Sequence, residues 1–197
     1  MGRQNTVQGY EQADQQAQKQ AICVADLVSV VKMDAEKMTV DVQPLVRVPD
    51  RDQYQDKSQI LSVPVAMIYG GGFVIRPVYT AGDVGVLLYF DRDTDSSLVD
   101  GSQTDPNTSR LHSGDDAVFI GGVKVDSKTI TGLPDGTLCA GTDTGSIYLS
   151  ISKSGIEIKG DVTVTGSVKV TGDVTAGNIS LKNHTHTCPD GTTSTPN

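Results

Sequence analysis

From residue 25 the chain alternates apolar and polar positions with a period of two, the pattern of strands that bury one face. Five segments carry it before about Gly122: Ala25-Asp-Leu-Val-Ser-Val-Val, Met38-Thr-Val-Asp-Val-Gln-Pro-Leu-Val, Val63-Pro-Val-Ala-Met-Ile, Val84-Gly-Val-Leu-Leu-Tyr-Phe and Ala117-Val-Phe-Ile. Val40 and Val42, and Val84, Val86 and Leu88, mark the alternation of half-buried strands. Polar turns separate the segments, and so many short strands in one stretch predict a small closed barrel of the OB type over residues 23–122. Gly70-Gly-Gly72 lies between two of them. A phosphate cradle would need a helix with Lys and Ser or Thr after the glycines, whereas Phe73-Val-Ile-Arg-Pro-Val reads as strand, so the glycines form a turn or bulge.

Beyond Gly122 the pattern simplifies into a shaft over residues 123–182. Gly155-Ile-Glu-Ile-Lys, Gly160-Asp-Val-Thr-Val-Thr, Gly166-Ser-Val-Lys-Val-Thr and Gly172-Asp-Val-Thr-Ala each open with glycine and then alternate. Val162, Val164, Val168, Val170 and Val174 share one side, with Thr, Lys and Asp on the other. About seven short strands are expected between Gly136 and Lys182, and a single layer of them can neither bury a valine face nor satisfy its edges. Three copies wound round a common axis do both, giving a prism filled with valine that rises on the order of 30–35 Å. A single-chain hexapeptide β-helix is the competing geometry. It needs more coils than this segment supplies, and in acyltransferases a catalytic histidine between coils.

At the other end, residues 9–22 are rich in Ala and Gln, and Ala13, Ala17 and Ala21 recur at helical spacing, which predicts a short helix within an N-terminal arm, residues 1–22. The opening residues hold no apolar run resembling a leader peptide, so a soluble chain not exported by its own N-terminus is expected.

Composition narrows the function. The 197 residues are 37% hydrophobic and 5% aromatic, contain no Trp and carry a formal net charge of −8. That field repels phosphate backbones, and no nucleic-acid partner is expected. Hydrolysis of glycans needs paired carboxylates in an aromatic-lined cleft, which the sequence does not suggest, so the chain is not read as an enzyme. Three distant cysteines, Cys23, Cys139 and Cys188, form no disulfide framework. Asp91 to Asp116 is a polar insertion with seven Asp against Arg92 and Arg110. Asp91, Asp93 and Asp95 imitate the start of a calcium loop, but Ser96 and Ser102 stand where Gly and Glu are required, so a solvated acidic loop is expected. His112 reads as a structural histidine bonding a turn.

Two further histidines, His184 and His186, lie in a tip over residues 183–197, two positions apart, so an extended backbone points both imidazoles to one side. Two nitrogens hold a transition metal weakly. Three chains would offer six, an octahedral cage closed to further chemistry.

Val63-Pro-Val, Gly71-Gly-Phe-Val-Ile-Arg-Pro-Val, Ala81-Gly-Asp-Val-Gly-Val-Leu-Leu-Tyr-Phe-Asp-Arg92, Arg110-Leu-His-Ser-Gly-Asp-Asp-Ala-Val118 and the terminal Asn183-His-Thr-His186 with Gly191 resemble the membrane-piercing central spikes of contractile-tailed bacteriophages and related injection machines. The resemblance covers roughly residues 24–122 and 183–197. It implies a homotrimer in the virion at the tip of the tail baseplate, with OB-fold domains on the tail hub, a triple-stranded β-helix as shaft, and an iron ion held by His184 and His186 of each chain. Its work would be mechanical piercing of the host outer membrane. A tail-associated adhesin or a module that binds or hydrolyses glycans is the competing function.

Overall fold

The computed structural model describes residues 24–50 and 52–195. The helix expected over residues 9–22, and Cys23, lie outside them. The chain is mainly β and divides into two compact units, Met1–Lys128 and Thr129–Asn197.

In the first unit the strands are β1 Ala25–Asp34, β2 Thr39–Pro44, β3 Val48–Asp50, β4 Gln53–Gln55, β5 Ile60–Pro64, β6 Ile68–Gly70, β7 Phe73–Ile75, β8 Val84–Tyr89 and β9 Ala117–Gly121. Four of the five segments expected from alternation supply strands of one antiparallel half-barrel sheet, ordered β5-β2-β1-β8-β9; its remaining strand, β5, begins at Ile60 and shares only Val63 and Pro64 with the expected segment from Val63 to Ile68. A bulge between Val30 and Lys32 bends β1. The far edges approach each other: Val65 forms an isolated parallel bridge with Phe119, and the Ala66 N–H donates to the Phe119 carbonyl at 2.8 Å. Short hairpins β3-β4 and β6-β7 stand apart from this sheet, and the three glycines turn the second of them, Gly71 and Gly72 adopting φ of 59° and 83°.

Val28, Val30, Val40, Val42, Val63, Leu87 and Phe119 fill the core. In β2 the buried set includes Val40 and Val42. In β8 the alternation has the opposite phase to the one the valines suggest: Gly85, Leu87 and Tyr89 are buried, while Val84, Val86 and Leu88 are only half-buried. The reason is space and bonding. A Cβ on Gly85 would meet the Phe119 ring at 2.5 Å, so glycine clears the position for an aromatic ring that stacks edge-on to Tyr79 at 5.1 Å. Tyr89 turns inward and donates its hydroxyl to Asp26 at 2.8 Å, where Lys57 closes a partly buried ion pair at 2.7 Å.

The second unit holds a three-stranded antiparallel sheet of β10 Leu138–Gly141, β11 Tyr148–Ser152 and β12 Gly155–Lys159. Two small hairpins follow, β13 Thr175–Ala176 with β14 Ile179–Ser180, and β15 Thr187–Cys188 with β16 Gly191–Thr192. The expected ladder of about seven strands is thus interrupted within one chain. Residues 160–174, which contain the most regular repeats, carry no strand. A strand exists only where a neighbour accepts its hydrogen bonds, and among the described residues no strand pairs with these repeats.

The three-stranded sheet also has its apolar side outward. Cross-strand pairs Leu138↔Ile151, Leu149↔Ile158 and Ile151↔Ile156 set five aliphatic side chains on one face. All five are exposed, Leu138 and Ile156 at 73% and 69%. Tyr148 and Ser150, on the opposite face, are the buried ones.

Candidate metal-binding tip and the acidic insertion

The two tip histidines lie side by side, ring centroids 5.2 Å apart and planes at 86°. The hairpin β13-β14 fixes the first. Gly177, at φ 60°, and Asn178 make its two-residue turn, and the chain leaving β14 bends so that the His184 N–H donates to the Ser180 carbonyl at 3.0 Å. His184 Nδ1 lies 2.9 Å from the same carbonyl and 3.1 Å from that of Leu181. Carbonyls only accept, so these contacts select the tautomer with the proton on Nδ1 and leave the Nε2 lone pair for a ligand. The second histidine is held through its backbone: the His186 N–H donates to Thr193 Oγ1 at 2.9 Å, and the Thr193 N–H returns to the His186 carbonyl at 2.9 Å.

Asp173 organises this region, a role the sequence pattern assigned only to an outward polar position. Its Oδ1 accepts the N–H groups of Val174 at 2.8 Å and Lys182 at 3.0 Å, and its Oδ2 accepts the Ser180 hydroxyl at 2.6 Å. The Ser180 hydroxyl, and after it the Lys182 N–H, lower the Asp173 pKa below the usual carboxylate range. One chain thus offers two imidazoles, one with a bonded Nδ1; imidazole is a donor type that suits transition metals, but two such donors make only part of a coordination shell.

The insertion after β8 is exposed over most of its length, as expected of an acidic loop, but Asp93 and Asp116 near its two ends are buried. A four-residue helix α1, Ser97–Asp100, lies within it. Arg110 bridges its two ends. The guanidinium donates from Nε to Asp116 Oδ2 at 3.0 Å and from Nη2 to Asp95 Oδ2 at 2.9 Å, with Asp93 Oδ1 at 3.4 Å. Asp116 and Asp93 are buried, 1% and 8% exposed. Asp116 also accepts the Thr94 N–H at 2.9 Å, and Asp93 accepts the Thr108 hydroxyl at 2.8 Å. The Arg110 hydrogen bonds lower the pKa of Asp116, while for Asp93 the leading cause is the Thr108 hydroxyl; hydrogen bonds to Asp116 and then Asp95 raise that of Arg110. Asp93, Asp95 and Asp116 are spaced closely enough to hold a cation, and the cation beside them is the guanidinium. The sequence placed Asp93 and Asp95 with Asp91 as a calcium-loop imitation. The fold replaces Asp91 with Asp116, at the far end of the insertion, through the pairing of β8 with β9.

His112 sits in a bend at φ 47°, but its buried Nδ1 has no hydrogen-bond partner among the described residues and lies 3.8 Å from Asp91 Oδ1. It does not bond the turn through that nitrogen. Cys139 is a free thiol, 2.9 Å from the Thr137 hydroxyl.

No curated protein matches the chain. Residues 28–122, the span of the half-barrel and its insertion, match the family model of the phage protein Gp138 N-terminal domain, which supports a phage protein of the baseplate or spike type.

Proposed function

We propose that the chain is the central spike of a contractile phage tail, a homotrimer that pierces the host outer membrane mechanically and makes or breaks no bond in it. The observation that carries this reading is the uncovered apolar surface of the second unit. Val162, Val164, Val168, Val170 and Val174 are between 44% and 70% exposed, and the five aliphatic side chains on the outer face of β10-β11-β12 are exposed as well. Val168, Val170, Val174 and Leu181 line an open groove. Monomeric proteins rarely leave so long an apolar strip in water. Two further copies would cover it and supply the missing strand partners of residues 160–174, in a triple-stranded β-helix. In the first unit, the order β5-β2-β1-β8-β9 with a parallel contact between the outer strands supports an OB-type barrel, the end that would attach to the tail hub. At the apex, His184 and His186 from three chains would hold one ion, iron on the family resemblance, with no position left open for chemistry. When bound, it crosslinks the three tips.

Gold-labelled antibody against the first unit, applied to whole virions, is expected to mark the distal end of the tail. Label on the capsid or on tail fibres alone would refute the assignment. The metal is tested separately. Purified protein is expected to contain about one transition-metal ion per trimer, and the His184→Ala/His186→Ala double variant essentially none, with the barrel still folded. Metal retained by the double variant would reject these ligands.

A further inference from the structure

We propose that Asp173, acting through Ser180, is a positioning residue for the His184 imidazole, so that part of the tip's metal affinity is set by a carboxylate that never touches the ion. This rests on reading His184 and His186 as metal ligands. The connection is short. The Asp173 carboxylate takes the Ser180 hydroxyl at 2.6 Å, a charge-assisted bond. The same Ser180 oxygen accepts the Asn183 N–H at 2.8 Å. The Ser180 carbonyl then receives both the backbone N–H and the Nδ1 of His184, at 3.0 and 2.9 Å. Ser180 is therefore held by its side chain and holds the histidine by its main chain. Fixing Ser180 fixes the ring's orientation and its tautomer together.

The hairpin does not need Asp173 for its own pairing. Thr175↔Ser180 and Ala176↔Ile179 pair within it, and the Leu181 N–H bonds the Val174 carbonyl at 2.8 Å. What the carboxylate adds is convergence: three donors, from Val174, Ser180 and Lys182, meet on one exposed side chain. Alanine at 173 removes all three acceptor contacts. Alanine at 180 removes only the hydroxyl, leaving the carbonyl in place but free to shift.

A substitution that weakens the second unit away from this connection separates positioning from simple folding. Tyr148 serves, because its buried side chain belongs to the three-stranded sheet and its hydroxyl donates to Glu157 at 2.9 Å, so Tyr148→Phe loses a bond there and leaves the Asp173 contacts in place. Full-length wild-type, Asp173→Ala, Ser180→Ala and Tyr148→Phe proteins are stripped of metal and titrated with Co(II) against a competing chelator, the Co(II) absorption reporting the ligand set. Asp173→Ala and Ser180→Ala are expected to bind about 10–100-fold more weakly than wild type, with Tyr148→Phe within about threefold of it despite a lower melting temperature. Asp173→Ala binding as tightly as wild type, or Tyr148→Phe weakened as much as Asp173→Ala, would overturn the positioning role. A wild-type protein that binds no Co(II) and contains no metal as purified would instead overturn the metal site, and the positioning role with it.

Discussion

Val164→Asp and Val168→Asp are each expected to abolish assembly, while Thr163→Asp, on the opposite side of the same repeats, is tolerated. In one chain Val164 and Val168 are 54% and 70% exposed, so a carboxylate at either place costs the isolated chain almost nothing. In the proposed shaft the threefold axis would bring three copies of the new charge into a dry core, with a penalty of several kcal/mol per ion and no partner of opposite sign. The effect is therefore expected on association and not on the first unit, whose core lies elsewhere. Gel filtration separates the outcomes. Equal behaviour of the valine and threonine variants would show that the inward and outward sides have been misassigned.

Arg110→Ala is expected to be the most damaging single change in the acidic insertion. It leaves Asp116 and Asp93, both buried, facing each other and Asp95 without a cation. Breaking one side of such a pair is costlier than never having built it, because the remaining charges stay out of water. The melting temperature of the variant should fall by on the order of 5–10 °C at neutral pH. The pH dependence has a defined sign. Asp116 and Asp93 have folded pKa values lowered below their ordinary range, so their contribution is full above about pH 4 and fades as acid protonates them in the folded state. In the variant, crowding raises the same pKa values, and protonation relieves it. The gap between the two proteins should thus be widest near neutrality and narrow below about pH 4, a trend thermal melts across that range would reveal. A gap that stays constant would mean that Arg110 acts by packing alone.

The strands of the half-barrel were legible because alternation depends on the burial of one face, and that face lies within the same chain. Phase was less legible in β8. The three outward positions hold Val84, Val86 and Leu88 while the inward ones hold Gly85, Leu87 and Tyr89, and only the Phe119 ring explains why glycine belongs at position 85. Asp116 joined the acidic cluster through strand pairing, which no local spacing reveals. Arg110 was visible only as one of two cations in an acidic stretch. The tip histidines were read from their same-side spacing, but the hydrogen bonds through Asp173 depend on a two-residue turn folding the last repeat back on itself. In residues 160–174 the situation reverses. The repeats mark one apolar face clearly, and among the described residues that face stays exposed.

Native mass spectrometry of the full-length protein at micromolar concentration tests the central claim most directly. The account expects a homotrimer, three times the 20.8 kDa chain, with no stable smaller species. A well-folded monomer of 20.8 kDa would contradict it, because the valine face of the second unit would then have to be stable in water uncovered.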